Sequence, residues 1–154
     1  MKDLVIKILA DWSVFPIILI AIWTLLTKVP NNKKIEAYSR ILLAGLTAYF
    51  IAKIIGLFYQ PSDLRPFELM GVAARASFMN NPGFPSDHVL FVTAITCAVW
   101  FETRQKKITL VLAGLTLMVC LGRVLALVHT PLDVIGGLVI ALIGSVWYLN
   151  NKKD

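Results

Sequence analysis

ITLVLAGLTLMVCLGRVLALV, Ile108–Val128, is an apolar stretch of 21 residues whose one charged side chain is Arg123. A helix of about 20 such residues crosses a hydrocarbon core of ~30 Å, so this stretch reads as a membrane span. It runs straight into His129-Thr130-Pro131-Leu132-Asp133, and a second apolar run, Pro131–Leu149, starts there. Working back toward the N-terminus, Asp87–Phe101, Ile41–Tyr59 and Ser13–Thr27 have the same character. The expected fold is all-α: a polytopic membrane bundle of about five transmembrane helices, forming one domain over residues 1–154.

The bulk numbers agree. Of 154 residues, 58% are hydrophobic and 16% charged, and mean hydropathy is +0.76. An ordinary soluble domain is nearer ~45–50% apolar. The net charge of +6 does not point to nucleic acid, because the basic residues gather in short connections as topology signals do. Cys97 and Cys120 fall inside spans and read as small buried side chains. No cleavable signal peptide is expected, since a basic turn follows the first apolar run. Met1–Trp12, with Lys2, Asp3, Lys7 and Asp11, reads either as an interfacial helix or as the start of the first span.

Five spans put the second and fourth connections on one face of the membrane. The opposite face carries Lys28, Lys33, Lys34, Arg40, Arg104, Lys106, Lys107, Lys152 and Lys153. The positive-inside rule makes that face cytoplasmic, so the second and fourth connections and the N-terminus face outward.

Those two connections hold the polar residues that apolar packing does not explain. The chain has two histidines, one in Phe84-Pro85-Ser86-Asp87-His88 and one in Arg123-x5-His129-x3-Asp133, with Arg65-Pro66-Phe67 upstream. Ionisable groups at the mouths of membrane spans are site candidates by default. Each motif also has an ordinary structural reading. Ser86 is a helix N-cap with Asp87 in the first turn, and Thr130-Pro131-Leu132-Asp133 is a capping box with proline at the first helical position. Capping accounts for neither histidine, nor for two arginines at one mouth, whose guanidinium forks match phosphate oxygens. Asp133 can accept from one imidazole nitrogen of His129 and leave the other as a nucleophile.

In order and spacing, Arg65-Pro66, Pro85-Ser86-Asp87-His88 and Arg123-x5-His129-x3-Asp133 resemble the three-part signature of the type 2 phosphatidic acid phosphatase superfamily. The likeness covers a signature core of about residues 53–137. It implies a metal-independent lipid phosphatase with no cofactor. His129 would form a phosphohistidine, with Asp133 orienting it and His88 acting as general acid. Arg65, Arg123 and Ser86 would hold the phosphoryl oxygens. The partners implied are a lipid phosphate or diphosphate and the surrounding membrane lipids, in a bacterial cytoplasmic membrane with the active site outside.

The chain departs from the pattern at several points. Asp87 stands where the family often has glycine, which looks like the branch hydrolysing undecaprenyl diphosphate to undecaprenyl phosphate. Gly122 replaces the usual serine before Arg123. Phe58 holds the place of a lysine common seven residues before the arginine-proline pair, so Lys53 becomes the candidate for that phosphate contact, provided the chain folds back after Pro61. The family usually has six spans, and the expected five here lack the first.

The Phe67–Asn80 stretch reads equally as a short interfacial helix over the site or as an ordered loop. The third span, short for a ~30 Å core, puts the site below the membrane surface or at head-group depth. Other readings are a broader phosphatase acting on phosphatidic acid or phosphatidylglycerophosphate, and a non-enzymatic lipid-phosphate binder or transporter. The spans fit a lipid substrate better than peroxidase chemistry.

Overall fold

The computed structural model of the protein describes residues 2–62, 64–79 and 83–149, and among these it is all helix and loop, without strand. The helices are α1 (Lys2–Lys7), α2 (Val14–Lys28), α3 (Lys34–Phe58), α4 (Pro66–Leu69), α5 (Asp87–Thr103), α6 (Lys106–Leu125) and α7 (Pro131–Gly144). A π-helical turn, Ile8–Trp12, joins α1 to α2, and a 3₁₀ turn, Ser145–Tyr148, prolongs α7.

Four helical stretches are long and apolar enough to cross a membrane: Lys2–Lys28, Asn31–Phe58, Lys106–Leu125 and Pro131–Tyr148. The first joins the N-terminal segment to the first span. From Lys2 onward it is continuous with the first span, and 27 residues at about 1.5 Å each reach about 40 Å, beyond a core of about 30 Å. The expected third span, α5, has 17 residues and sits at the centre, packed against α2, α3, α6 and α7. Its surroundings are mostly other helices, so it need not match the bilayer by itself.

The second span begins earlier than Ile41. α3 starts at Lys34, which moves Arg40 from the first connection into the helix. There it makes a bidentate pair with Glu102 of α5, both contacts 2.8 Å, and an intrahelical pair with Glu36. A charged first two turns is what a helix longer than the hydrocarbon can carry outside it.

Small residues set the helix spacing, as expected where lipid tails remove the hydrophobic drive between helices. Ala44, Ala48 and Ala52 form the buried stripe of α3. A Cβ on Gly144 would lie 2.6 Å from the Ala44 carbonyl oxygen, and one on Gly137 would lie 2.8 Å from that of Ser86. Large side chains point the other way: Leu19, Trp23, Leu42, Phe50, Leu57, Leu117 and Leu121 are all exposed, as lipid-facing residues should be.

Among the described residues of the second connection only α4 is helical, the rest is loop, and Gly71, at φ +63°, turns the chain out of α4. Two of the connection's N–H groups go to carbonyls just beyond α6: Phe67 donates to that of Leu127 at 3.0 Å and Arg75 to that of Ala126 at 3.3 Å. A helix end leaves its last carbonyls unpartnered, and here a neighbouring loop takes two of those beyond α6. Asn80, the last residue of the expected stretch, lies outside the described residues.

Candidate active site

The N-termini of α5 and α7, the C-terminus of α6 and the loop after α3 meet at one end of the bundle. The Arg40–Glu102 pair marks the opposite end. The mouth is roofed by a small apolar cluster in which Ala126 and Val128 meet Ala10 of the N-terminal π turn and Phe67, Ala74 and Ala76 of the loop.

All the expected motif residues come to this end. Arg65, Ser86, Arg123, His129 and Asp133 are buried, and His88, in the first turn of α5, is half-buried. Their proximity shows in their mutual electrostatics: His88 feels Arg123 and His129, and His129 feels Arg123, Arg65 and Asp133. Backbone ties the two histidine motifs together, because the Ser86 N–H donates to the Asp133 carbonyl at 3.0 Å.

The α7 terminus forms the capping box its sequence promised. Thr130 Oγ1 accepts from the Asp133 N–H at 3.2 Å, and Asp133 Oδ2 accepts from the Thr130 N–H at 2.7 Å. The same Oδ2 lies 3.5 Å from His129 Nδ1, which is an electrostatic contact rather than a formed hydrogen bond, since Nδ1 has no partner meeting bond geometry among the described residues. Catalytic contacts of this kind are often long without substrate and tighten with it. Burial holds the His129 imidazole below its ordinary value of 6.5. Arg123 and Arg65 push the same way, while the Asp133 carboxylate opposes them. The ring is therefore neutral at pH 7, with a lone pair to offer.

The α5 terminus differs from the sequence reading. Ser86 has the extended backbone of an N-cap, φ −68° and ψ 110°, but its side chain makes no cap hydrogen bond. Its Oγ is fully buried without a partner among the described residues. Asp87 turns outward to Lys53, 3.1 Å away.

Arg65 is held from two sides. Nη1 donates to the Val128 carbonyl at 2.5 Å and Nη2 to that of Met79 at 3.1 Å, with the Phe78 ring beneath its guanidinium carbon at 5.5 Å. Burial lowers its pKa from the ordinary value against the pull of Asp133, Glu68 and Asp87, and a guanidinium stays cationic through such a shift. Arg123 uses Nη1 twice, toward Asp11 at 2.9 Å and the Ser77 carbonyl at 2.8 Å. Its Nε is buried without a partner among the described residues.

Lys53 reaches the second motif through Asp87 and stands over the Tyr49 ring at 5.1 Å. α3 ends at Phe58, ahead of Pro61. The Lys53–Asp87 pair lines a cleft of about 160 Å³ with Gly56, Gln60, Phe84 and Pro85.

Two residues that the motifs do not include help to build the site. Gln60 Nε2 donates to the Gly56 and Phe84 carbonyls at 2.6 and 3.1 Å, and its Oε1 accepts from the Phe84 N–H at 3.3 Å, which fixes the entry to α5. Asp11 is the ion partner of Arg123. The one sequence signal for it was an acid beside an apolar run, which needs a partner to be stable there. Among the described residues no group of three or more His, Cys, Asp and Glu is placed to hold a metal ion.

Chemically, the site offers two guanidinium groups, a buried hydroxyl and a helix N-terminus suited to phosphoryl oxygens, with a neutral imidazole in their midst. Comparison with known proteins points the same way. The chain is 29% identical over 144 residues to "Undecaprenyl-diphosphatase BcrC" of Bacillus subtilis (strain 168), an alignment covering 92% of this chain and 70% of that protein. No solved structure matches it. Residues 37–154 match the PAP2 superfamily, so the chain belongs to that superfamily and is an integral membrane phosphatase, a hydrolase of phosphoric esters.

Proposed function

We propose that the protein hydrolyses an isoprenoid diphosphate, undecaprenyl diphosphate, to the monophosphate and inorganic phosphate at the outer face of a bacterial cytoplasmic membrane. The observation that carries this reading is the convergence of His129, Asp133, His88, Ser86, Arg65 and Arg123 on one mouth of the bundle. The diphosphate substrate rests on the printed activity of the Bacillus relative and on Asp87 within Phe-Pro-Ser-Asp-His. The outward orientation rests on the nine cations of the opposite face.

In this mechanism His129 Nε2 attacks the terminal phosphorus, while Nδ1, beside Asp133, keeps its proton. The bond to the bridging oxygen breaks, and His88, which takes up a proton when the anionic diphosphate binds beside it, protonates the departing lipid monophosphate. Water, deprotonated by His88, then attacks the phosphohistidine and releases phosphate with His129 restored. Arg65, Arg123, Ser86 Oγ and the α5 N-terminus stabilise the charge on the equatorial oxygens, a task that preorganised donors perform in a water-poor site. Lys53, held near by Asp87, adds a cation at the rim of the site.

The test is phosphate release by the purified protein in detergent with EDTA, offering undecaprenyl diphosphate and phosphatidic acid side by side. EDTA-resistant release that favours the diphosphate supports the reading. Preference for phosphatidic acid replaces it with a broader lipid phosphate phosphatase, and no release from either lipid overturns it.

A further inference from the structure

Arg123 lies against a segment outside the three motifs. A closed clasp joins it to the N-terminal π turn and the loop after α4. Arg123 Nη1 donates to Asp11 Oδ1 at 2.9 Å and to the Ser77 carbonyl at 2.8 Å, while Asp11 Oδ2 accepts from the Ser77 N–H at 2.8 Å. Both charged side chains are shielded, at 1% and 13% exposure. The clasp occupies Nη1 and leaves Arg123 the Nε–Nη2 edge, the fork that binds an oxyanion bidentately, and Nε is without a partner among the described residues.

What lets the N-terminal segment come this close is the residue before Arg123. A Cβ on Gly122 would lie 2.5 Å from the Ala10 nitrogen and 2.6 Å from the Leu9 carbonyl carbon. Both neighbours are backbone, so any side chain at 122 must push the π turn, and Asp11 with it, away from α6. π turns inside α-helices occur often at functional sites, and this one places Asp11 beside Arg123. The absence of serine at position 122 is thereby explained as the condition for the clasp.

We propose that Asp11 is a positioning residue of the phosphatase: it fixes the Arg123 guanidinium so that its Nε–Nη2 edge faces the transferred phosphoryl group, and Gly122 is the space that admits it. This rests on the lipid-phosphatase reading above. Asp11 touches no reacting atom and acts through Arg123 alone.

The experiment compares Asp11→Asn, Gly122→Ala, Arg123→Lys and the double variant Asp11→Asn/Arg123→Lys, each in detergent with undecaprenyl diphosphate, alongside melting temperatures. A misplacement of about 1 Å can cost about 10²-fold in rate. Asp11→Asn and Gly122→Ala are each expected to lower kcat by at least about 10-fold with KM changed by less than about 3-fold. Asp11→Glu recovers part of the loss. In the Arg123→Lys background, Asp11→Asn costs less than about 2-fold further, since residues acting as one unit are not additive. Gly122→Ala removes no polar group and carries the test if Asp11→Asn does not fold. Full activity in folded Asp11→Asn or in folded Gly122→Ala overturns the inference and leaves the phosphatase reading standing, as does a full additive loss in the double variant. No phosphate release by the unsubstituted protein overturns the phosphatase reading, and the role of Asp11 with it.

Discussion

Two helix N-termini meet at the mouth of this bundle, and their sequences look alike: Pro85-Ser86-Asp87 opens α5 and Thr130-Pro131-Leu132-Asp133 opens α7. Both cap residues have extended backbone, and both helices carry an aspartate in the first turn. At α7 the two side chains close on the backbone in a capping box, and the carboxylate that completes it also faces His129. At α5 the cap side chain makes no such bond. Ser86 Oγ is buried without a partner among the described residues, and Asp87 leaves for Lys53. One terminus is satisfied by the protein and holds an imidazole in place, while the other keeps donors in reserve, which suits a phosphate. Identical chemistry at a cap position can thus serve stability or recognition, and tertiary context decides which.

The comparison can be attacked at four points, in falling order of expected effect. His129→Ala removes the proposed nucleophile at the α7 side and is expected to lower phosphate release by about 10³-fold or more, measured with the melting temperature as control. The same residue sets the pH profile. Attack needs the neutral imidazole, and a depressed pKa keeps it neutral further into acid, so activity is lost as pH falls through a value below 6.5. The acid limb of kcat/KM against pH reports that group in the free enzyme, and a midpoint above 6.5 would contradict the burial argument.

Asp133→Asn strikes both duties of the α7 carboxylate. Loss of the imidazole's orientation is expected to cost about 10²-fold in kcat or more, while the weakened capping box costs about 1 kcal/mol of stability.

The sharpest contrast is between Ser86→Ala and Thr130→Ala. Thr130→Ala loses a formed cap and should destabilise by about 1 kcal/mol with a smaller effect on turnover. Ser86→Ala removes a buried hydroxyl that has no partner among the described residues, so its melting temperature should hold or rise. Its activity should fall about 10-fold or more, the loss of one hydrogen bond to a charged group. Equal stability losses in the two variants would erase the distinction.

Lys53→Ala should be the mildest, within about 3-fold in kcat/KM, because a half-exposed cation already paired with Asp87 is screened by solvent.

Much of this was legible in the chain itself. An apolar stretch such as Ile108–Val128 can hardly be anything but a span, and the histidine motifs at the span ends foretold which residues would converge. The sequence was silent where a partner lies far along the chain. Asp11 and Arg123 are separated by 112 positions, and no local pattern pairs them. The absence of serine at 122 has no reason in the local sequence, and the close approach of Ala10 gives it one. The loop after Met70 carries enough apolar residues to read as a helix, yet the Arg75 N–H goes to the Ala126 carbonyl and the Ser77 N–H to Asp11, a competition visible only in three dimensions. Ser86 shows the same limit at atomic scale: the cap residue was right and the cap bond absent.

The central claim, a phosphoryl group carried on His129, is tested most directly by trapping it. The protein is mixed with undecaprenyl diphosphate radiolabelled in its terminal phosphate, quenched within one turnover, and the labelled protein tested in acid and alkali. A phosphohistidine has a P–N bond that acid cleaves and alkali spares. The account predicts an acid-labile, alkali-stable label that is present in the unsubstituted protein, absent from His129→Ala, and discharged as inorganic phosphate on dilution into unlabelled buffer. Turnover without a labelled protein, or a label that persists in His129→Ala, would contradict it.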